Sequence, residues 1–236
     1  MPPTTFYVDA VLFDMDGTLV DSTAGVVGAW DTFARSYPGL DVKTILSSSH
    51  GVRTVDNLKK YCGITDDALL EEEAQRFEQA IVDSSKDNGR PGITMLPGVR
   101  PIIDELTPGK DMPNACWAIC TSATRVYASA ALEVASIPVP QAFVTAEDVK
   151  LGKPYPDPYL LGAKKCGVSP DRCLVVEDAP AGVQSGHAAG CKVLGLITTH
   201  TRGQMEPCTP DYLVKNLSSV QMKRLGKGVE VTIFMD

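Results

Sequence analysis

A doubly wound α/β fold, built on a mostly parallel sheet with a helical insert, is what this sequence predicts. Three observations predict it. Short apolar runs recur along the chain, each ending in a polar residue, as strands covered on both faces do. Helical patterns separate the later runs, and such alternation indicates a parallel sheet. A long segment after the first run carries helical patterns and no strand pattern.

The elements follow in chain order. Residues 10–13 are a strand that ends at Asp14. Residues 20–96 are the insert, read as helices only. Asp66 and Asp67 open its long helix, placing negative charge in the first turn. Leu70, Ala74, Phe77 and Ile81 follow at helical spacing and give that helix one apolar face. Asn88-Gly89-Arg90-Pro91-Gly92 closes the insert as a loop. Beyond it come runs at 117–120, 143–144, 173–176 and 193–197, ending at Thr121, Thr145, Glu177-Asp178 and Thr198. Residues 98–107, 123–135, 157–166 and 180–189 are the crossover helices, and residues 229–234 an edge strand. The chain thus divides into a core, 1–19 and 97–236, and a cap, 20–96. In such sheets ligands bind just past the carboxyl ends of the strands, where these polar residues gather.

With 236 residues, 44% hydrophobic and 22% charged, the chain has the composition of a globular protein with a buried core. The net charge of −7 and the lack of a Lys/Arg-rich run argue against nucleic acid as a partner. No stretch has the length and apolarity of a membrane span or a secretory signal. The seven cysteines are scattered, mostly within apolar stretches, which suits small buried hydrophobes in a reducing cytoplasm. A monomer is expected.

Asp14-Met15-Asp16-Gly17-Thr18 carries the strongest chemical signal. Two carboxylates two residues apart at a strand end suit attack by one and proton transfer by the other. Taken alone, the pattern equally fits a solvated turn. A calcium loop is excluded, because its twelfth position would be Gly25 instead of Glu. Thr121, Ser122 and Ala123 suit a phosphate cradle at a strand-to-helix turn, or simple helix capping. Cys120 and Arg125 stand too close together for a cysteine phosphatase loop. Lys153 lies in Gly152-Lys153-Pro154-Tyr155-Pro156, a loop stiff enough to aim its charge, although a lone loop Lys is commonly solvated. Glu177 and Asp178 end a buried run, a costly place for two acids unless they are paired or metal-bound. With Asp14 they make an oxygen-only set suited to Mg²⁺.

In order and at suitable spacing, Asp14-x-Asp16-Gly17-Thr18, Thr121, Lys153 and Glu177-Asp178 resemble the four motifs of the haloacid dehalogenase (HAD) superfamily of phosphatases. The resemblance implies an HAD-like core with an α-helical cap, and hydrolysis of a small phosphorylated metabolite. It implies Asp14 as nucleophile through an aspartyl-phosphate, Asp16 as general acid/base, and Thr121 and Lys153 holding the phosphoryl oxygens. It further implies Mg²⁺ bound by Asp14, the Asp16 carbonyl and Asp178, with Glu177 in its first or second shell. A narrower resemblance lies in Ser49-His50-Gly51-Val52-Arg53-Thr54, residues 117–125, Gly152-Lys153-Pro154-Tyr155-Pro156 and Val176-Glu177-Asp178-Ala179-Pro180-Ala181-Gly182. These look like the branch that acts on glycerol phosphate and 2-deoxyglucose 6-phosphate. His50, Gly51 and Arg53 are then the expected cap contacts to substrate, beside Ser122 and Ala123 in the core. If a helix begins at Gly51, its N–H groups and positive dipole end face substrate oxygens. A sugar phosphomutase and a non-catalytic phosphate-binding module are the alternatives.

Overall fold

The computed structural model describes residues 2–46, 49–86, 92–107 and 115–234. The chain opens with β1 (Thr4–Val8), β2 (Ala10–Phe13) and β3 (Val20–Asp21). Four helices follow: α1 (Thr23–Ser36), α2 (Val42–Leu46), α3 (Thr54–Cys62) and α4 (Asp67–Ser85). Next come β4 (Thr94–Met95), α5 (Val99–Leu106), β5 (Trp117–Cys120), α6 (Arg125–Val134), β6 (Ala142–Val144) and α7 (Asp157–Cys166). The chain continues through β7 (Cys173–Glu177), α8 (Pro180–Ala188), β8 (Lys192–Leu196), α9 (Arg202–Met205), β9 (Tyr212–Val214), β10 (Val220–Arg224) and β11 (Val229–Ile233). Each crossover helix expected from the sequence is present, within two residues at either end.

Among the described residues, six strands form one sheet in the order β6-β5-β2-β7-β8-β9, and its pairs are all parallel. The expected α/β fold is the observed one. Along the strands, alternate residues point to opposite faces. Phe13, Ile119 and Val176 join one apolar cluster, which includes Ile103 of α5 and Ala128 of α6. Leu12, Ala118 and Val175 join the other, which includes Tyr159 of α7 and Val183 of α8. Both faces are covered, so these strands read as continuous apolar runs.

This order positions the site. The chain leaves β2 toward β5 on one side and later returns to β7 on the other, which makes the end of β2 a topological switch point. Phe13 stands level with Ile119 and with Val176. Asp14 therefore emerges between Thr121 on one side and Glu177 and Asp178 on the other.

Two expectations are corrected. Residues 229–233 form the expected strand, but it is not at an edge. β11 is the middle strand of a separate antiparallel sheet, between β1 and β10. Its buried Val229, Val231 and Ile233 alternate with part-exposed neighbours, the pattern of a strand with one face on a core. The insert is also not wholly helical. β3 and β4, at its two ends, pair antiparallel as Val20↔Met95 and Asp21↔Thr94. Two residues per strand are too few to leave a periodic signal in sequence. Between these ends, α4 packs on α1 through Trp30, Phe33 and Phe77, and also on α3. Leu70, Ala74, Phe77 and Ile81 are buried as expected, and the Asp66 side chain caps the helix by accepting from Leu69 N–H at 2.8 Å. The expected loop at 88–92 lies, apart from Gly92, outside the described residues. No described helix is long and apolar enough to cross a membrane.

Candidate active site

Asp14 sits at the end of β2, and its Oδ1 accepts from Lys153 Nζ at 2.5 Å. The same ammonium donates to Glu177 Oε1 at 2.7 Å. Lys153 is fully buried, as the stiff loop before α7 suggested. Burial works against its charge, but Asp14 and Glu177 outweigh that and hold its pKa above the usual lysine value.

Glu177 is used on every side. Its Oε1 also accepts from the Tyr159 hydroxyl at 2.9 Å, and its Oε2 accepts from the N–H groups of Asp178 at 2.9 Å and Ala179 at 3.0 Å. A carboxylate has about four lone-pair sites, and these four donors occupy them. Glu177 therefore anchors Lys153 and the β7–α8 turn. The side chain fits only because residue 182 is Gly: a Cβ there would lie 1.7 Å from Glu177 Oε1.

Asp178 is held by hydroxyls. Thr18 donates to its Oδ1 at 3.1 Å, and Thr199 donates to its Oδ2. Gly17, at φ +85°, turns the chain so closely past that a Cβ would lie 2.2 Å from Asp178 Oδ2. Asp14, Glu177 and Asp178 offer oxygens within 4.8 Å of one another, a group able to hold a metal ion. Burial, then the charge of Glu177, pushes Asp178 up to about 7. Burial also lifts Asp14, with Glu177 and Asp178 adding to it and Lys153 opposing. Three carboxylates against one ammonium leave the cluster short of positive charge, and hard oxygen donors suit Mg²⁺.

Asp16 faces the same cavity. Its Oδ1 accepts from Ser22 at 2.6 Å and from the Tyr127 hydroxyl at 2.9 Å. Burial raises its pKa, and these two donors hold back part of the rise. Thr121 is buried beside Asp14, and its Oγ1 accepts from Ala123 N–H at 3.1 Å. That bond bends the chain into a turn below the cavity. Cys120 points the other way, into the apolar cluster under α7, and burial pushes its thiol pKa up. It is no nucleophile.

The cavity, about 80 Å³, is lined by Asp14, Asp16 and Thr121 of the core and by Trp30, Asn57, Phe77 and Glu78 of the insert. Ser122, Ala123, His50 and Gly51 also line it. The Ser122 hydroxyl donates to the Gly51 carbonyl at 2.8 Å, which joins core to insert. Gly51 lies in a turn, and α3 begins at Thr54. The condition of a helix beginning at Gly51 is therefore not met. His50 stacks edge-on against His200, whose Nδ1 lies 3.0 Å from the Asp178 carbonyl. Burial, and then His200, pushes His50 down to about 4, so it is uncharged.

Arg53 is not brought to the cavity. Its guanidinium pairs with Asp56 at 2.8 Å and reaches the Lys150 carbonyl at 3.3 Å. An acid three residues on is within easy reach on a helix, and it takes the charge that the sequence reading assigned to substrate. The sequence reading also gave no role to Ser22, Tyr127, Tyr159, Thr199 and Glu78, which structure brings to the site. Thr18, quoted within the first motif, has its role here for the first time.

Comparison with known proteins agrees with this geometry. The family model of haloacid dehalogenase-like hydrolases matches residues 8–190. The chain is 43% identical to hexitol phosphatase A of Escherichia coli strain K12 over 185 residues, 78% of this chain and 81% of the relative. It is 33% identical to glycerol-1-phosphate phosphohydrolase 1 of Saccharomyces cerevisiae over 227 residues, 93% of this chain and 87% of the relative. Among solved structures, a hydrolase from Pseudomonas syringae matches with a TM-score of 0.70 and 26% identity, covering 88% of this chain and 93% of that one. With the motif residues assembled around one cavity and the match spanning most of the sequence, the chain belongs to the haloacid dehalogenase-like hydrolases.

Proposed function

We propose that this chain, a phosphoric monoester hydrolase, releases phosphate from the monophosphate of a small polyol or sugar, in a magnesium-dependent reaction through a phosphorylated Asp14. The observation that carries this reading is the pairing of two differently held carboxylates across one cavity. Asp14 is anchored through Oδ1 by Lys153, which leaves Oδ2 to attack phosphorus. Asp16 receives its donors Ser22 and Tyr127 on Oδ1, which leaves Oδ2 to carry a proton.

In the first displacement, Asp14 Oδ2 bonds to phosphorus, the ester P–O bond breaks, and Asp16 protonates the departing alkoxide. In the second, Asp16 takes a proton from water, the water oxygen attacks phosphorus, and the Asp14–phosphorus bond breaks to free inorganic phosphate. The Thr121 hydroxyl and the backbone of the turn at Ser122 and Ala123 hold phosphoryl oxygens. Asp14, Asp178 and the Asp16 backbone carbonyl would hold Mg²⁺, whose charge offsets that of those oxygens. Glu177 keeps Lys153 against Asp14. The insert over 20–96 acts as a cap that keeps bulk water from the phosphorylated Asp14. The names of the relatives support a polyol or sugar as the leaving group. A reducing, cytoplasmic setting is supported by the cysteines, which are free thiols and mostly buried.

Asp14→Asn tests the reading. The amide keeps the shape and removes the nucleophilic charge. Phosphate release should fall by several orders of magnitude, with an unchanged far-UV circular dichroism spectrum. Turnover within about tenfold of wild type, about 1.4 kcal/mol, would exclude Asp14 as nucleophile.

A further inference from the structure

The insert side of the cavity has a charge pattern that restricts what the phosphate can be attached to. Glu78 reaches it from α4 and is buried. Its Oε1 accepts from Thr124 N–H and from the Thr54 hydroxyl, each at 3.1 Å, and its Oε2 accepts from the Thr124 hydroxyl. Three donors on about four lone-pair sites leave room for one more. Burial raises the pKa of Glu78, and the Thr124 and Thr54 donors oppose that rise; Thr124 caps α6, so the carboxylate also lies at a helix N-terminus.

Asn57, also buried, donates its amide hydrogens to the carbonyls of Ser49 at 2.9 Å and Val52 at 3.4 Å. With those hydrogens used, the remaining polar atom of the amide is an acceptor oxygen. Trp30 and Phe77 supply apolar wall. No Lys or Arg lines this cavity among the described residues. Arg53 is tied to Asp56, Lys153 to Asp14 and Glu177, and His50 is uncharged. The insert side thus offers acceptors, rings and a negative charge. Hydroxyl groups are matched there. A second phosphate or a carboxylate would meet Glu78 with no cation to offset it.

We infer that Glu78 is a specificity-determining residue: it accepts a hydrogen bond from a hydroxyl of the substrate's neutral carbon chain and excludes phosphate esters that bear a second anionic group. The inference rests on the phosphatase reading and narrows it. The substrate class becomes monophosphates of neutral polyols. Bisphosphates, which a phosphomutase must hold, and phosphorylated acids are rejected by the same residue.

Matched substrate pairs test it. Glycerol 3-phosphate and 3-phosphoglycerate differ by a CH₂OH against a carboxylate, and so do glucitol 6-phosphate and 6-phosphogluconate. Using the pair whose polyol is turned over faster, wild-type enzyme with Mg²⁺ should favour the polyol in kcat/KM by at least about a hundredfold. Glu78→Gln removes the charge but keeps an acceptor for Thr124 N–H. It should shrink that ratio at least about tenfold, and Glu78→Asp, which restores the charge, should recover part of it. Equal kcat/KM for both members of a pair in the wild type overturns the inference without any variant. So does an unchanged ratio in a Glu78→Gln protein with a native circular dichroism spectrum. Nitrophenyl phosphate separates the two readings. If wild type hydrolyses it but does not discriminate within the pairs, Glu78 loses this role and the phosphatase reading stands. If wild type hydrolyses neither it nor any pair member, both fall.

Discussion

The Tyr127 hydroxyl, on α6, donates to Asp16 Oδ1 at 2.9 Å. Ser22 donates to the same oxygen at 2.6 Å. Two donors on one oxygen fix the rotation of the carboxyl group and direct Oδ2 to the cavity. Tyr127 thus positions Asp16, the proton-transfer group of the proposed mechanism, without touching the reacting atoms of that mechanism. Tyr127→Phe should lower kcat for an alkyl phosphate about 10–100-fold, the equivalent of about 1.5–3 kcal/mol for a hydrogen bond to a charged group, with KM little changed. Nitrophenyl phosphate, whose leaving group needs less protonation, should lose less. The bond to Tyr127 lowers the pKa of Asp16 against the effect of burial. Removing it lets that pKa rise further, so Asp16 keeps its proton to higher pH. The alkaline limb of the kcat/KM profile should move upward. Equal losses for both substrates and an unmoved limb would show that Tyr127 acts only in packing.

Metal binding should be visible in stability, with a definite pH dependence. In the metal-free protein, burial and Glu177 lift Asp178 to about 7. A carboxyl raised in the folded state contributes stability that is fully present below its ordinary pKa of about 3.9 and is lost as pH rises through about 7. The metal-free protein therefore carries this penalty above that window, and Mg²⁺ relieves it. The rise in Tm on adding Mg²⁺ to chelator-treated protein should be several degrees larger at about pH 8 than at about pH 5.5. For a chain of this size each 1 kcal/mol moves Tm by about 2–4 °C. Asp9 and Glu73 are shifted downward by Arg172 and Arg76. Their loss of stability in acid affects both forms alike, so the increment is the quantity to compare. Scanning calorimetry at the two pH values measures it, and an equal increment would separate the metal from this cluster.

Gly182→Ala should damage the site through Glu177. The added Cβ would lie 1.7 Å from Oε1, so the carboxylate must swing away from Lys153 and Tyr159. Overpacking of a buried position costs about 1–3 kcal/mol, and Lys153 loses one of its two carboxylate partners. Denaturant unfolding should show that loss, together with a fall in kcat. Gly203→Ala is the control, because a Cβ there meets no atom within 4 Å. It should leave stability within about 1 kcal/mol of wild type. Equal effects of the two substitutions would contradict the packing around Glu177.

Much of this site is legible in sequence, for a reason rooted in the sheet. Asp14, Thr121, Glu177 and Asp178 each stand at the end of an apolar run, and a parallel sheet brings run ends to one edge. Lys153 is marked by the prolines around it. The supporting residues carry no such mark. Tyr127 and Tyr159 lie on inner faces of helices, where an aromatic residue reads as core, and their hydroxyl partners are set by packing across 111 and 18 residues of chain. Glu78 sits beside the apolar Phe77, and nothing local distinguishes it from the exposed acids of α4. Arg53 shows the opposite case. Its charge suggested substrate, but Asp56, three residues on, already holds it. That pairing was readable in the sequence once α3 was placed. The β11 strand is legible as a strand but not as a central one, because alternation reports one buried face and does not identify the neighbours.

Glu177 and Asp178 are adjacent acids with different tasks, and amide substitution should separate them. Glu177 accepts from Lys153, Tyr159 and two backbone N–H groups. A Gln has one acceptor oxygen. Whichever way its amide turns, the NH₂ faces either the Lys153 ammonium or the backbone donors of the β7–α8 turn. Glu177→Gln should therefore release Lys153 and lower kcat at least about a hundredfold, about 2.7 kcal/mol, and saturating Mg²⁺ should not restore it. Its Mg²⁺ affinity should fall several-fold at most, because the four donors already exclude the ion from Glu177. Asp178 has hydroxyl donors only, Thr18 on one oxygen and Thr199 on the other, so lone pairs remain on its charged carboxylate. Asp178→Asn should weaken Mg²⁺ binding at least about a hundredfold, again about 2.7 kcal/mol, and part of its lost turnover should return at high Mg²⁺. Calorimetric titration of chelator-treated protein measures both affinities. If Glu177→Gln loses as much Mg²⁺ affinity as Asp178→Asn, then Glu177 touches the metal, and its bonds to Tyr159 and the turn must break when the ion binds.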